Sequence, residues 1–240
     1  MTAPPDKLPA TGQPIGALVA NPNPAPRPGP VTLQGRYGRL EKLEPRHAAD
    51  LWRVFRDHPE VWTYISFDGP FEDEASFNGL VEKRATAADP YAYAIIDKDG
   101  KAVGYLTLME IHPEMRRIEV GHVLYSPALQ RQPLGTEAQY LLAKYVFETL
   151  GYRRYEWKCN SHNEPSKRAA GRYGFIYEGT HRQWQIAKGR NRDNTMFSML
   201  DSEWPKRKAN FERWLSPDNF DASGKQKVSL SALNADAKVP

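Results

Sequence analysis

What the chain lacks narrows its class before any motif is considered. It has one cysteine in 240 residues, so no disulfide framework can form within one molecule. No stretch approaches the roughly 20 apolar residues that a membrane span needs. The start shows no charged segment followed by an apolar run and a small-residue cleavage site, the pattern of a secretory leader. Charge of either sign is in small excess: 33 Lys and Arg against 29 Asp and Glu leave +4 at pH 7, with a pI near 9.0. That excess is too small for a protein that holds nucleic acid by electrostatics alone. The six histidines show no ligand-like spacing. His112, His122 and His162 stand apart with no second cysteine to help, so no metal is expected. These absences predict a cytoplasmic protein with no membrane contact and no nucleic-acid partner. The mild positive balance favours an anionic partner, which a phosphate-bearing cofactor would satisfy.

What is present is an ordinary globular composition, 40% apolar and 26% charged, on a chain long enough for one domain with its own core. Residues 1–30 hold nine of the twenty prolines and no apolar periodicity, and read as a flexible, Pro-rich N-terminal extension or one laid over the domain surface. From about Lys206 the chain is polar apart from "FERWL", and its end "SLSALNADAKVP" reads as a loose tail. The expected division is an extension over 1–30, a folded domain over 31–205 and a polar C-terminal extension over 206–240.

Within the domain, "YGRLEKLEP" alternates like a strand, and "HAADLWRVFRDH" spaces Ala49, Leu51, Trp52 and Phe55 along one helical face. "VWTYI" and "FEDEASFNGLVEKRATAA" predict further helix. "YAYAIIDKDGKAVGYLTLMEI" predicts a hairpin turning near Asp99-Gly100, and "RRIEVGHVLYS" a strand. Leu134, Ala138, Leu141, Leu142, Tyr145 and Val146 follow a helical rhythm from Pro133 to Leu150. "RRYEWKC" is a strand with Tyr155, Trp157 and Cys159 on one face, "NEPSKRAAGRYGF" a capped helix ending at Gly174, and the last stretch a hairpin about Lys188-Gly189. The fold class is therefore α+β, a mixed α/β layer architecture with no internal repeat.

The loop "LQRQPLGT" directly before the long helix holds the first chemical signal. Proline suits the first helical position, and the amides of Leu134, Gly135 and Thr136 at a helix start combine free donors with a partial positive charge. Gly135 allows close backbone approach and Arg131 adds a charge-assisted contact. Either a pyrophosphate sits there, or Pro133 and Gly135 only shape a turn.

Three stretches, "IEVGHVLYSPALQRQPLGTEAQYLL", "NEPSKRAAGRYGF" and "GTHRQWQIAKGRNRDNTMFSML", resemble the Gcn5-related N-acetyltransferase family. More narrowly, they resemble the branch that acetylates the N-termini of ribosomal proteins, together with its small-molecule relatives. The resemblance covers roughly residues 33–200. It implies a central, mostly antiparallel, splayed sheet flanked by helices, with acetyl-CoA as cosubstrate. Gln130, Pro133 and Gly135 occupy the family's pyrophosphate motif, with proline in place of its first glycine, and the cradle falls to the amides of Arg131, Gln132, Leu134, Gly135 and Thr136. Val123, Leu124 and Tyr125 would pair with the pantetheine through their backbones, Asn163 would bind its amide, and Arg168 with Lys167 would meet cofactor phosphate. Asn163 also reads as a helix N-cap, and Arg168 as part of a solvated face. Glu119 is the candidate base, or else a strand charge paired with Arg117 or Arg154. Ser166 matches the serine that the ribosomal branch places in this helix's first turn, the tyrosine position of other members being Ala170 here.

Tyr64 and Trp184 are the expected acceptor-binding aromatics, with Trp62 and Phe67 nearby. Arg182, Lys188, Arg190 and Arg192 would draw an acidic or phosphate-bearing acceptor or simply be solvated. Cys159 reads as packing, not as a nucleophile. The resulting expectation is direct transfer of an acetyl group from acetyl-CoA to the primary amine of a small molecule, amino acid or aminoacyl conjugate, with a homodimer as candidate assembly. The alternatives are a protein N-terminal acetyltransferase and a module that senses acyl-CoA or contacts RNA without turnover.

Overall fold

A computed structural model describes residues 6–7 and 12–237. Asp6–Lys7 (β1) pairs with Pro14–Ile15 (β2) in a separate two-stranded sheet. The main sheet has eight strands. Leu33–Gln34 (β3), Arg39–Lys42 (β4), Tyr91–Ile96 (β5), Ala102–His112 (β6) and Arg117–Tyr125 (β7) run antiparallel in sequence order. Arg154–Asn160 (β8) then pairs parallel to β7, the one parallel junction of the main sheet. Ile176–Ala187 (β9) and Arg190–Leu200 (β10) close the sheet as a hairpin, with β10 lying between β8 and β9.

Alternation along the strands decides which helices cover which face. In β5, Ala92, Ala94 and Ile96 pack with Leu51, Phe55, Trp62, Phe77 and Val81, so small residues lie beneath Ala48–Phe55 (α1) and Glu74–Thr86 (α2). Tyr93 and Ile95 point to the opposite face, where Leu106, Ile118 and Val120 meet Leu134, Ala138, Leu142 and Val146. Those residues belong to Pro133–Lys144 (α3) and the π-helical stretch Tyr145–Thr149 that prolongs it. A period of two on the strands and a period near 3.6 on the helices thus meet in one core. Glu164–Tyr173 (α4) is capped by Asn163, whose side chain accepts from the Ser166 amide, and stops at Gly174 with φ of 93°.

Two segments differ from the sequence expectation. "VWTYI" is not a helix. It contributes one 3-10 turn, Pro59–Trp62, because so short a run cannot offset helix nucleation. The chain continues as an irregular loop, 63–73, that carries Tyr64, Ser66 and Asp68 toward the sheet. The polar C-terminal extension instead carries a packed helix, Trp204–Leu215 (α5), and the stretch "SLSALNADAKVP" expected as a loose tail contains a helical turn, Leu230–Leu233 (α6). Trp204, Arg207, Phe211, Trp214 and Leu215 are buried and recur at helical spacing on one side, while polar residues fill the other and conceal the stripe in an average. Trp204 stacks on Phe147, and Arg207 reaches Asp236 and Asn234. The domain boundary expected at 205 therefore cuts through a packed element. The N-terminal segment lies over the domain surface by residues 25–29. The Ala25 amide donates to Pro113 O at 3.0 Å, and Gly29 bonds the Tyr145 and Tyr93 hydroxyls.

Candidate active site

The site begins where β7 leaves β8. Their parallel pairing runs from Arg117–Arg154 to Val120–Trp157 and ends there. One residue further, β7 carries a bulge: Tyr105 faces Leu124 but Thr107 faces Gly121, so His122 and Val123 together oppose Leu106. His122 has φ of 43°, outside the region most side chains adopt. A bulge bends its strand, so β7 turns away while β8 continues along β10 as far as Asn160. The backbone of Gly121 to Tyr125 consequently has no strand partner on the β8 side, an edge open to an extended ligand.

The start of α3 faces the upper limb of this V. Gln132 is the N-cap residue and Pro133 the first helical residue, as expected. Two of the expected amide donors are not free, however: Gln132 N donates to Leu129 O and Gly135 N to Gln132 O, each at 3.2 Å. Gln130 N bonds Ser126 O, and its side chain bonds Tyr125 O at 3.2 Å. The exposed Arg131 sits at φ of 63°. Gly135 has a packing reason beyond approach to a ligand. A Cβ there would lie 3.0 Å from the Tyr125 ring, whose hydroxyl donates to Gly135 O at 2.7 Å and accepts from Gln139. Thr136 is buried and bonded to Arg172 at 2.9 Å.

Two proton-bearing side chains flank the fork. Glu119 is 4% exposed, and its carboxylate pairs with Lys158 Nζ at 2.8 Å, not with the Arg117 or Arg154 of the sequence alternative. Those arginines bind Glu156. Burial pushes the Glu119 carboxyl up to about 7, against the opposing charge of Lys158. The Lys158 contact is close but not aligned as a hydrogen bond, so Oε2 keeps an unused acceptor direction. Beside the β8 limb, Ser166 of α4 accepts at Oγ from Trp157 Nε1 at 3.0 Å, and its hydroxyl is within hydrogen-bond reach of the Cys159 thiol. Cys159 lies beside it, and burial raises the thiol pKa, so a thiolate nucleophile is disfavoured.

Residues 39–176 match the family model of the acetyltransferase (GNAT) domain. The chain belongs to this family. It is 29% identical over 177 residues to the uncharacterized N-acetyltransferase p20 of Bacillus licheniformis, covering 72% of this chain and 98% of that one. A GCN5-related N-acetyltransferase from Brucella melitensis shares 42% identity and a TM-score of 0.87, over 90% of this chain and all of that one. The fold is also that of Mycobacterium smegmatis RimJ, solved with CoA-disulfide, at 20% identity and a TM-score of 0.65 over 76% and 93% of the two chains. The protein is an acyl-CoA-dependent GNAT acetyltransferase. No helix among its described residues is long and apolar enough to cross a membrane.

In this acetyltransferase the structure brings Val123, Leu124 and Tyr125 to the open edge, and Gln130 to Thr136 to the helix start. Glu119 lies on the β7 limb, and Ser166 of α4 is bonded to Trp157 of the β8 limb. Asn163 acts as the N-cap of α4, and Arg168 is exposed beyond it. Of the aromatics, Trp62 is core at 2% exposure, against Phe55, Phe71 and Phe77. Tyr64 donates to His162 O at 3.1 Å, joining loop 63–73 to the turn before α4. Trp184 is half exposed, with Lys158 5.7 Å from its ring. The sequence reading missed Lys158 and the bulge at His122. Lysine on a half-buried strand carries no signal of its own, and a bulge is invisible until two strands are in register. It also missed what holds the β9–β10 hairpin against the end of the 3-10 turn and loop 63–73: Lys188 donates to Trp62 O at 3.0 Å, Gln185 to Ser66 at 2.7 Å, and Arg192 to Tyr64 O and Ser66 at 2.7 Å.

Proposed function

We propose that the chain transfers an acetyl group from acetyl-CoA directly to a primary amine of a small molecule, amino acid or aminoacyl conjugate. The observation that carries this reading is a buried carboxyl poised near neutral pH at the fork of two splayed strands. The residues present suit the cosubstrate. The open edge of Gly121 to Tyr125 offers backbone groups to a pantetheine, while the α3 start, with the Leu134 amide and the Arg131 side chain, offers donors and positive charge to a pyrophosphate. Asn163 and Arg168 stand on the opposite limb. Bound acetyl-CoA supplies an activated acyl group and a thiol leaving group. Glu119 accepts the proton that the amine gives up as the N–C bond forms. Ser166, its oxygen already engaged by Trp157, donates a proton to the sulfur as the C–S bond breaks and regains one from solvent, while Glu119 releases its proton to solvent, so the proton balance closes. The raised thiol pKa of Cys159 supports direct transfer over an acyl-cysteine route.

Loop 63–73 and the β9–β10 hairpin, tied by the bonds of Lys188, Gln185 and Arg192, narrow the approach to Glu119. That enclosure favours a small acceptor over a folded protein's N-terminus. A protein N-terminus is the second reading, supported by the shared fold with RimJ. Calorimetric titration with acetyl-CoA, followed by acetylation assays on small amines and on peptides with free N-termini, separates them. Micromolar binding with turnover of small amines supports the proposal, turnover of peptides alone moves it to the second reading, and binding with no turnover of any amine refutes both. Ser166→Ala should keep binding and lower kcat about 100-fold, and an unchanged kcat removes Ser166 from the mechanism.

A further inference from the structure

The acceptor side of the fork holds more positive charge than its carboxylates balance. Asp68 on loop 63–73 forms a buried ion pair with Arg84 of α2 and also acts on Lys188. His122, between them and β10, is held neutral: burial lowers its pKa to about 4, and Arg84 and Arg192 add to the effect. Arg192 is close enough to feel Glu119 and Cys159, and Glu119 is paired with Lys158. Four cations, Arg84, Lys158, Lys188 and Arg192, thus share two carboxylates, Asp68 and Glu119. The other acids that act on Glu119 are already engaged, Glu156 with Arg117 and Arg154, and Glu110 with His112.

Arg192 stands out in this group. Its hydrogen bonds go to Asn194 Oδ1, Tyr64 O and Ser66 Oγ, all neutral, and no carboxylate pairs with it among the described residues. Arg192 is half-buried, and even partial withdrawal of a cation from water without a counter-charge carries a cost that is offset when a ligand brings the missing anion. The α3 start, where the cosubstrate's phosphates would lie, is engaged with different groups, Tyr125, Gln139 and Arg172.

We infer that the acceptor is an amine that also carries an anionic group, with Arg192 as the residue that receives the anion while the amine faces Glu119. This inference rests on the proposed amine acetylation and adds the chemical class of the acceptor. A carboxylate or a phosphate would satisfy the same geometry.

The test compares kcat/KM of the full chain within matched pairs: an amino acid and its amide, O-phosphoethanolamine and ethanolamine, and a peptide with an acidic second residue against a neutral one. At least one pair should favour its anionic member by about tenfold or more, and which pair does so identifies the source of the anion. In Arg192→Gln that ratio should collapse toward one, and Arg192→Lys should retain most of it. A loss of order in loop 63–73 alone would lower both members of a pair together and leave the ratio intact. Neutral members used as well as anionic ones, or a ratio unchanged in Arg192→Gln, overturns the inference and leaves amine acetylation standing. If no amine is turned over, the amine-acetylation reading itself has failed. Titration of N-acetyl amino acids into the protein with CoA then judges the anion site separately. Binding weakened by Arg192→Gln upholds it, and equal binding by both proteins overturns it.

Discussion

Burial raises the Glu119 carboxyl to about 7, while Lys158, 2.8 Å away, opposes a further rise. A group whose protonated form is favoured by the fold contributes stability that is present below the ordinary carboxylate range and is lost as pH rises through about 7. The same titration controls activity with the opposite sign, because only the carboxylate accepts a proton. The expected kcat/KM profile therefore rises through about pH 7. In Glu119→Gln the rate should fall about 100-fold or more and that ascending limb should vanish. Lys158→Met removes the charge that lowers the carboxyl pKa and should move the limb to higher pH, with Lys158→Arg closer to wild type. A pH–rate series on the three variants checks this, and a limb that stays in place in Glu119→Gln assigns the titration to another group. Sequence singled out Glu119, but its pKa depends on burial and on a lysine one strand away, neither of which its own neighbours in the chain display.

At the scale of elements, the α3 start serves packing and binding with different residues. Gly135 accommodates the Tyr125 ring at a contact that a Cβ would tighten to 3.0 Å, so Gly135→Glu would disturb the core as well as any bound phosphate. Arg131, exposed at the loop apex, is the cleaner probe. Arg131→Gln should weaken acetyl-CoA binding several-fold, by about 1 kcal/mol or more, without lowering Tm. Isothermal titration beside a thermal melt checks both halves, and a shared loss would make the residue structural. The α4 terminus behaves in the opposite way. Gly174 has φ of 93°, and a Cβ would meet Arg207 Cδ at 2.5 Å. Gly174→Ala should therefore cost at least about 1 kcal/mol of stability in a denaturant titration. A glycine after a helical stripe was legible as a helix stop. Its contact with a helix thirty residues further on was not, since nothing local specifies which helix will lie there.

For the whole molecule, α5 and α6 complete the face of the core that α3 and α4 begin. Trp204 donates to Glu148, stacks on Phe147 and lies against Tyr140, while the Asn234 side chain bonds Arg172 O. A chain ending at residue 205 exposes that face and should melt well below the full chain or fail to fold. A chain beginning at residue 20 retains the bonds of Ala25 and Gly29 and should melt within a few degrees of it. Thermal melts of the two truncations decide whether the catalytic unit extends past 205. Local patterns in the sequence were enough for most elements between Arg39 and Leu200 and for the helix that opens at Pro133, because periodicity, capping and turn residues act over a few neighbours, while the family and the candidates Glu119 and Ser166 were legible through motif resemblance. Only the folded arrangement shows that β7 bulges and parts from β8, that Lys158 pairs with Glu119 while Arg192 is left without a carboxylate partner, and that the polar-looking stretch from Lys206 buries Arg207, Phe211 and Trp214. Each of those depends on which distant segments share a surface, and the free energy of that choice comes from burial and charge pairing summed across the whole chain, which no local pattern encodes.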